Sequence, residues 1–207
     1  MEVVSEAPER IPINFFFGNK IRYTNGMRIG IDISQIVYDG TGVGNYVREL
    51  VRTLVTRDSS NDYILFGASL RKKSVFKTFY RSLGAPKNVQ LKVVSLPPTL
   101  LDILWNRLHI LPVESFIGNV DVFWSSDWTQ PPLKNAKGMT TIHDVSVLLY
   151  PNSFHKKILS VQKRRLKQAK KECSTFLCDS EATKNDCIKL LKIDGSKLHV
   201  VYPGFTV

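Results

Sequence analysis

From Met27 onward the chain alternates short apolar runs with segments of helical periodicity, and that alternation leaves few folds open to it. Strand-like runs fall at Arg28–Ile33, Tyr63–Phe66, Val89–Val94, Val120–Trp124, Gly138–Ile142, Thr175–Cys178 and Lys197–Val201. Between them, apolar residues recur three and four apart, as in Val47, Leu50, Val51, Leu54 and Val55. A second such stripe is Leu100, Ile103, Leu104, Leu108 and Leu111 before Pro112. Basic helices are expected from Ser69 to Leu83, stopped by Gly84, and from His155 to Lys171. A last helix, Ser180 to Leu191, has Ser180 as its N-cap and Glu181 in its first turn. Strands joined through helices run parallel, since the crossover is long enough to return to the same sheet edge, and helices then cover both faces. The expectation is an α/β, Rossmann-like three-layer domain over residues 27–202 with a mostly parallel sheet. Ligands of such sheets sit at the carboxyl ends of the strands.

Residues 1–26 do not share this pattern. They begin rich in Glu and Pro and pass through Phe15-Phe16-Phe17 and a turn-prone Tyr23-Thr24-Asn25-Gly26 before a second methionine. Two readings stand for them, a leader and an extra edge strand around Ile13 to Phe17.

Three stretches map to the ligand-binding edge: Ser34 to Asn45, Ser125 to Gln130, and His143-Asp144. The first contains Asp39-Gly40-Thr41-Gly42-Val43-Gly44-Asn45-Tyr46. Its three alternate glycines permit close backbone approach, and the helix that follows turns free N–H groups and its positive dipole end outward, the chemistry that binds phosphate. Two phosphate-binding classes are nevertheless excluded. A dinucleotide fingerprint needs a third glycine at Asn45 or Val47 and an acidic residue after the second strand, where Phe66-Gly67 stands. A phosphate-loop NTPase needs a Gly-Lys-Ser/Thr ending that is missing. Alone, His143 reads as a satisfied structural residue and Asp144 as the cap of the next turn. On the same edge as the glycine loop, they point to function.

The formal charge of +11 predicts attraction to phosphates of some kind. Much of it sits in one helix, where Lys156, Lys157, Lys163, Arg164, Arg165, Lys167, Lys170 and Lys171 occur without an acidic residue among them. That run reads either as a solvated face or as a patch for an anionic membrane surface. No aromatic residue interleaves with these cations, so nucleic acid is not expected as a partner, and a non-enzymatic basic α/β module that binds nucleic acid or anionic lipid stands as the alternative reading of the charge. Cys173, Cys178 and Cys187 fit no zinc spacing and read as buried, reduced thiols. No apolar run approaches the roughly 18 residues of a membrane span. A cytoplasmic protein, peripheral at the inner face of the cell membrane, is the expectation.

The ordered set Met27-Arg-Ile-Gly-Ile-Asp, Gly40-Thr-Gly-Val-Gly-Asn-Tyr-Val-Arg-Glu-Leu, Thr141-Ile-His-Asp-Val-Ser, Tyr150-Pro, Cys178-Asp-Ser-Glu-Ala-Thr-Lys and Val200-Val-Tyr-Pro-Gly-Phe resembles the N-terminal half of family-4 retaining glycosyltransferases. The resemblance implies the two-Rossmann GT-B architecture, in which the N-terminal domain binds the acceptor and the C-terminal domain most of a nucleoside-diphosphate sugar. It implies transfer of a hexose, mannose- or glucose-like, to a glycan or lipid-linked acceptor, with retention and with no metal or other cofactor. The donor phosphate would be met by Gly42, Gly44 and Asn45, and the transferred sugar by His143, with Asp144 beside it. Asp127, Trp128, Tyr150 and Glu181 would serve the acceptor, although core packing explains Trp124 and Tyr150 equally well. Residues 203–207 match the start of the interdomain linker. The family's donor-binding cations and paired glutamates belong to the second domain, so this chain is expected to be inactive alone. A β-branched residue at Gly44 is expected to impair turnover and leave the fold intact.

Overall fold

The computed structural model describes residues 26–204. The leader and edge-strand readings of residues 1–25, and the end of the linker, lie outside the described residues. Seven parallel strands form one sheet in the order β3-β2-β1-β4-β5-β6-β7. They are β1 (Arg28–Asp32), β2 (Asp62–Ala68), β3 (Val89–Val94), β4 (Val122–Ser125), β5 (Lys137–Ile142), β6 (Cys173–Cys178) and β7 (Leu198–Val200). Every strand expected from the sequence is present, and the sheet is parallel throughout. The inner strands are buried on both faces, as their unbroken apolar runs require.

The chain moves outward from β1 to β3, returns to lay β4 beside β1, and moves outward again to β7. Helices α1 (Gly42–Arg57) and α2 (Lys73–Ser82) bury Val47, Val51, Val55 and Phe79 with Ile29 and Ile31. Helices α3 (Pro98–Leu101) and α4 (Glu114–Ile117) pack with Trp105 around Ile64, Phe66 and Phe123. The short α5 (Ser146–Leu149), α6 (Lys156–Glu172) and α7 (Glu181–Asp186) enclose Ile142, Leu166, Phe176 and Cys187. The three cysteines are free and buried, as expected. No described helix is long and apolar enough to cross a membrane.

Two expectations are corrected. The stripe Leu100, Ile103, Leu104, Leu108, Leu111 is not the buried face of one helix. After α3 the backbone widens into a π-helical segment, Asp102–Arg107, closed by Leu108 N–H donating to the Ile103 carbonyl at 2.9 Å. The wider turn rotates Leu101 and Trp105 inward and leaves Ile103, Leu108 and Leu111 exposed. Asp102 and Asn106 also face inward, because Arg164 and the backbone of Trp128 and Gln130 pair with them. The basic run of α6 is also not one solvated face: its six lysines are exposed, but Arg164 reaches Asp102 at 2.9 Å and Arg165 is fully buried.

Candidate functional site

The strand order reverses between β1 and β4, so the connections leaving them diverge and open a crevice at their carboxyl ends. From β1 the chain makes a 3-10 turn, Ser34–Val37, before the glycine loop enters α1. Thr41 is the N-cap, and its hydroxyl accepts from Gly44 N–H at 3.1 Å. Asn45 N–H donates to the Thr41 carbonyl at 3.0 Å. The N–H groups of Gly42 and Val43 remain without acceptors among the described residues, the usual condition of a helix start. Arg48 fixes the loop from the next turn by donating to Asp39 at 2.9 Å and to the Ile36 carbonyl.

The three glycines differ in role. Gly40 adopts φ +75° and Gly42 faces open space. A Cβ at Gly44 would lie 2.9 Å from the Tyr38 carbonyl and 3.2 Å from that of Gln35. Gly44 therefore lets α1 pack on the 3-10 turn, and Gly42 is the glycine that leaves room for a ligand.

His143 follows β5, and its Nδ1 lies 2.7 Å from Asp179 Oδ2, just beyond β6. A carboxylate can only accept, so Nδ1 carries the hydrogen and Nε2 is left available, without a hydrogen bond among the described residues. Asp179 was not singled out from the sequence. Its signal is the register: Ile142 pairs with Cys178, which sets the next residues of the two strands side by side. Tyr46, in the first turn of α1, meets the His143 ring edge-on with centroids 5.0 Å apart. The glycine loop and the histidine thus share one wall, as expected. Burial pushes the Tyr46 phenol up to about 12, so it faces Asp179 as a neutral group.

Beneath this wall Arg165 enters from α6. It donates to the Ser126 carbonyl at 3.1 Å, to the Thr141 carbonyl at 3.1 Å, and to the Thr140 hydroxyl. Burial raises the Asp127 carboxyl above its ordinary value, opposed first by Arg165 and then by His143. Asp32, at the end of β1, is pushed up to about 6 by burial, while Ser34 N–H donates to it at 2.8 Å. One buried cation therefore braces the edge from below.

The other expected residues divide. Asn45 is exposed on the first turn of α1. Asp144 is exposed and accepts from Ser146 N–H at 2.7 Å, the capping role. Glu181 is exposed at the start of α7, where Ser180 caps Thr183 N–H as expected. Tyr150 is 63% exposed and joins neither the loop nor His143 in a ring contact or hydrogen bond among the described residues. Trp124 is in the core and donates to Thr141 at 3.1 Å. Trp128 lines a neighbouring cavity with Gln35 and Tyr38.

Residues 40–207 match the profile of Glycosyltransferase Family 4. The chain belongs to that family. No curated protein matches it. The family 4 assignment covers the glycine loop and every strand after β1, and it makes the Rossmann-like unit a GT-B domain with a glycosyltransferase function. In such a domain the α1 start supplies two hydrogen-bond donors at a positive helix pole, and His143 supplies an oriented imidazole nitrogen on the same wall. Those groups can hold an anion and an adjacent hydroxyl.

Proposed function

We propose that this chain is the acceptor-side domain of a retaining transferase that moves a hexose from a nucleoside-diphosphate sugar to a glycan or lipid-linked acceptor. The observation that carries the reading is His143, held by Asp179 at 2.7 Å and packed against the first turn of α1. In the proposed reaction the bond from the anomeric carbon to the β-phosphate oxygen breaks, and a bond from that carbon to the acceptor oxygen forms on the same face. The acceptor's proton passes to the departing diphosphate. The N–H groups of Gly42 and Val43 meet the phosphate as its charge grows, with the Asn45 side chain beside them, and His143 Nε2 bonds a hydroxyl of the sugar. A second, donor-binding half supplies the remaining cations, with residues 203–207 leading to it, so the domain alone does not turn over.

The test is transfer of labelled hexose by the domain joined to its donor-binding half. His143→Ala is expected to lower kcat about 100-fold, the order of cost of removing one well-placed hydrogen-bonding group, here the Nε2 that accepts from a sugar hydroxyl. Asp179→Asn is expected to reproduce most of that loss, because an amide facing Nδ1 no longer fixes the tautomer. A His143→Ala rate within about twofold of the parent would remove the histidine from the mechanism.

The exposed lysines of α6 support a peripheral site at an anionic membrane. Lys163, Lys167, Lys170 and Lys171 line one groove with Lys192 and the exposed Leu190. Vesicles rich in anionic lipid are expected to retain the domain at about 0.05 M salt and release it near 0.5 M, where screening shortens the reach of these charges. Retention that ignores salt, or none at low salt, would contradict this.

A further inference from the structure

A cavity of different character lies beside the wall formed by the glycine loop and His143. It measures about 650 Å³, within the range of small-molecule sites. Tyr38, Pro98, Ile103, Trp128, Ile158 and Val161 make its predominantly apolar lining. It shares Gln35, Tyr38, Pro98 and Trp128 with a second cavity of about 310 Å³, so the two form one groove at the sheet's carboxyl edge. Tyr38, Ile103 and Ile158 are 44%, 41% and 39% exposed, a degree of apolar exposure that core packing does not explain.

The rim is cationic. Arg71, Lys72, Arg107 and Lys157 line the joined groove, and Asp102 is the sole acidic residue lining it among the described residues. Asp102 is already occupied, with Arg164 at 2.9 Å, Arg107 at 3.3 Å and Asn106 at 3.0 Å. Lys157 lies in the first turn of α6, a turn with no acidic residue. A cation there adds to the positive pole of a 17-residue helix instead of offsetting it, and an anion placed beside it relieves both. The groove is one loop from the chemistry: Gln162 of α6 donates to the Asp127 carbonyl at 3.0 Å, and the Asp127 carboxylate lies in the field of His143.

We propose that this groove holds the acceptor through a lipid phosphate, with the hydrocarbon chain along Tyr38, Ile103, Trp128 and Ile158 and the phosphate at Lys157 and Arg107. The inference rests on the acceptor-side reading and narrows it from glycan or lipid-linked acceptor to an anionic amphiphile. It also moves acceptor recognition away from Tyr150 and Glu181, keeping Trp128. A neutral glycan would leave Lys157, at the positive pole of α6, without an anion, and a free phosphate would leave the apolar wall exposed.

The chain is titrated calorimetrically with dodecyl phosphate below its micellar concentration, with dodecyl maltoside and inorganic phosphate as the uncharged-head and chain-free arms. Dodecyl phosphate is expected to bind about tenfold or more tightly than either. Lys157→Glu and Ile158→Asp, both at exposed positions, are each expected to weaken it about tenfold with no change in thermal midpoint. Lys77→Glu, exposed on α2 outside either groove, is expected to change it less than twofold. Equal binding of dodecyl maltoside, absence of binding, or an equal loss in Lys77→Glu and Lys157→Glu would each overturn the proposal. Hexose transfer to a soluble sugar by the joined enzyme, with no dodecyl phosphate binding, would sink the groove and leave the transferase reading standing. Binding without transfer from any donor would do the reverse.

Discussion

Arg165→Met is expected to destabilise the domain by about 4 kcal/mol, the summed cost of leaving two buried carbonyls without this donor at roughly 1–3 kcal/mol each. For a domain of this size that lowers the thermal midpoint by roughly 10 °C. Arg165 is 2% exposed and ties the chain just past β4, at Ser126, to the end of β5, at Thr140 and Thr141. Methionine fills most of the volume but leaves two buried carbonyls without their donor. It also leaves the Asp127 carboxylate without the cation that chiefly opposes its burial. The pH dependence then follows in sign. Asp127 already has a folded pKa above its unfolded value, so the fold favours its protonated form, and losing Arg165 widens the gap. The deficit of the variant should be largest at neutral pH and shrink as the pH falls through the folded pKa toward about 4. Urea unfolding near pH 8 and near pH 5 measures this, and a deficit that grows on acidification would contradict it. Adding Asp127→Asn to Arg165→Met should recover part of the neutral-pH loss.

Gly44→Val is expected to cost about 3 kcal/mol, an overpacking penalty, with a thermal midpoint about 8 °C lower. This reverses the expectation drawn from the sequence, that a β-branched residue there would spare the fold. The nearest atoms to the new Cβ are backbone carbonyls of the turn before the helix and the capping hydroxyl, none of which can swing aside. Gly42→Val is the informative counterpart. Open space surrounds that position, so stability should change by no more than about 0.5 kcal/mol. Transfer by the joined enzyme should nevertheless fall, since the new side chain stands beside the two free N–H groups. Equal thermal midpoints for the two valine variants would show that the 3-10 turn yields.

The sheet was legible in the sequence because each strand is a short buried run and each α1 contact recurs at helical spacing, as Val47, Val51 and Val55 do. His143 and the loop were legible because strand ends locate the ligand edge before any side chain is placed. Asp179 was hidden for a different reason: its partnership with His143 depends on which strands pair and in which register, a long-range property. Arg165 was hidden within a cationic run, where one-dimensional order cannot tell the single inward residue from its solvated neighbours. The widened turn after α3 defeated the periodicity itself, since the apolar spacing from Leu100 to Leu111 presumes a regular helix and the polar Asp102 and Asn106 found partners inside.

The cap on α1 has a consequence for the lifetime of an activated sugar. With Thr41 occupying one N–H and the helix ladder another, two free donors remain, enough for one phosphate group and too few for a diphosphate. If the wall meets the donor as proposed, a donor resting on it alone would be loosely held and its leaving group poorly stabilised. On the proposed reading, the bond to the sugar is labile only once both halves have closed around it and displaced the surrounding water. On that reading, a loop with only two free donors also limits hydrolysis of the activated sugar before closure.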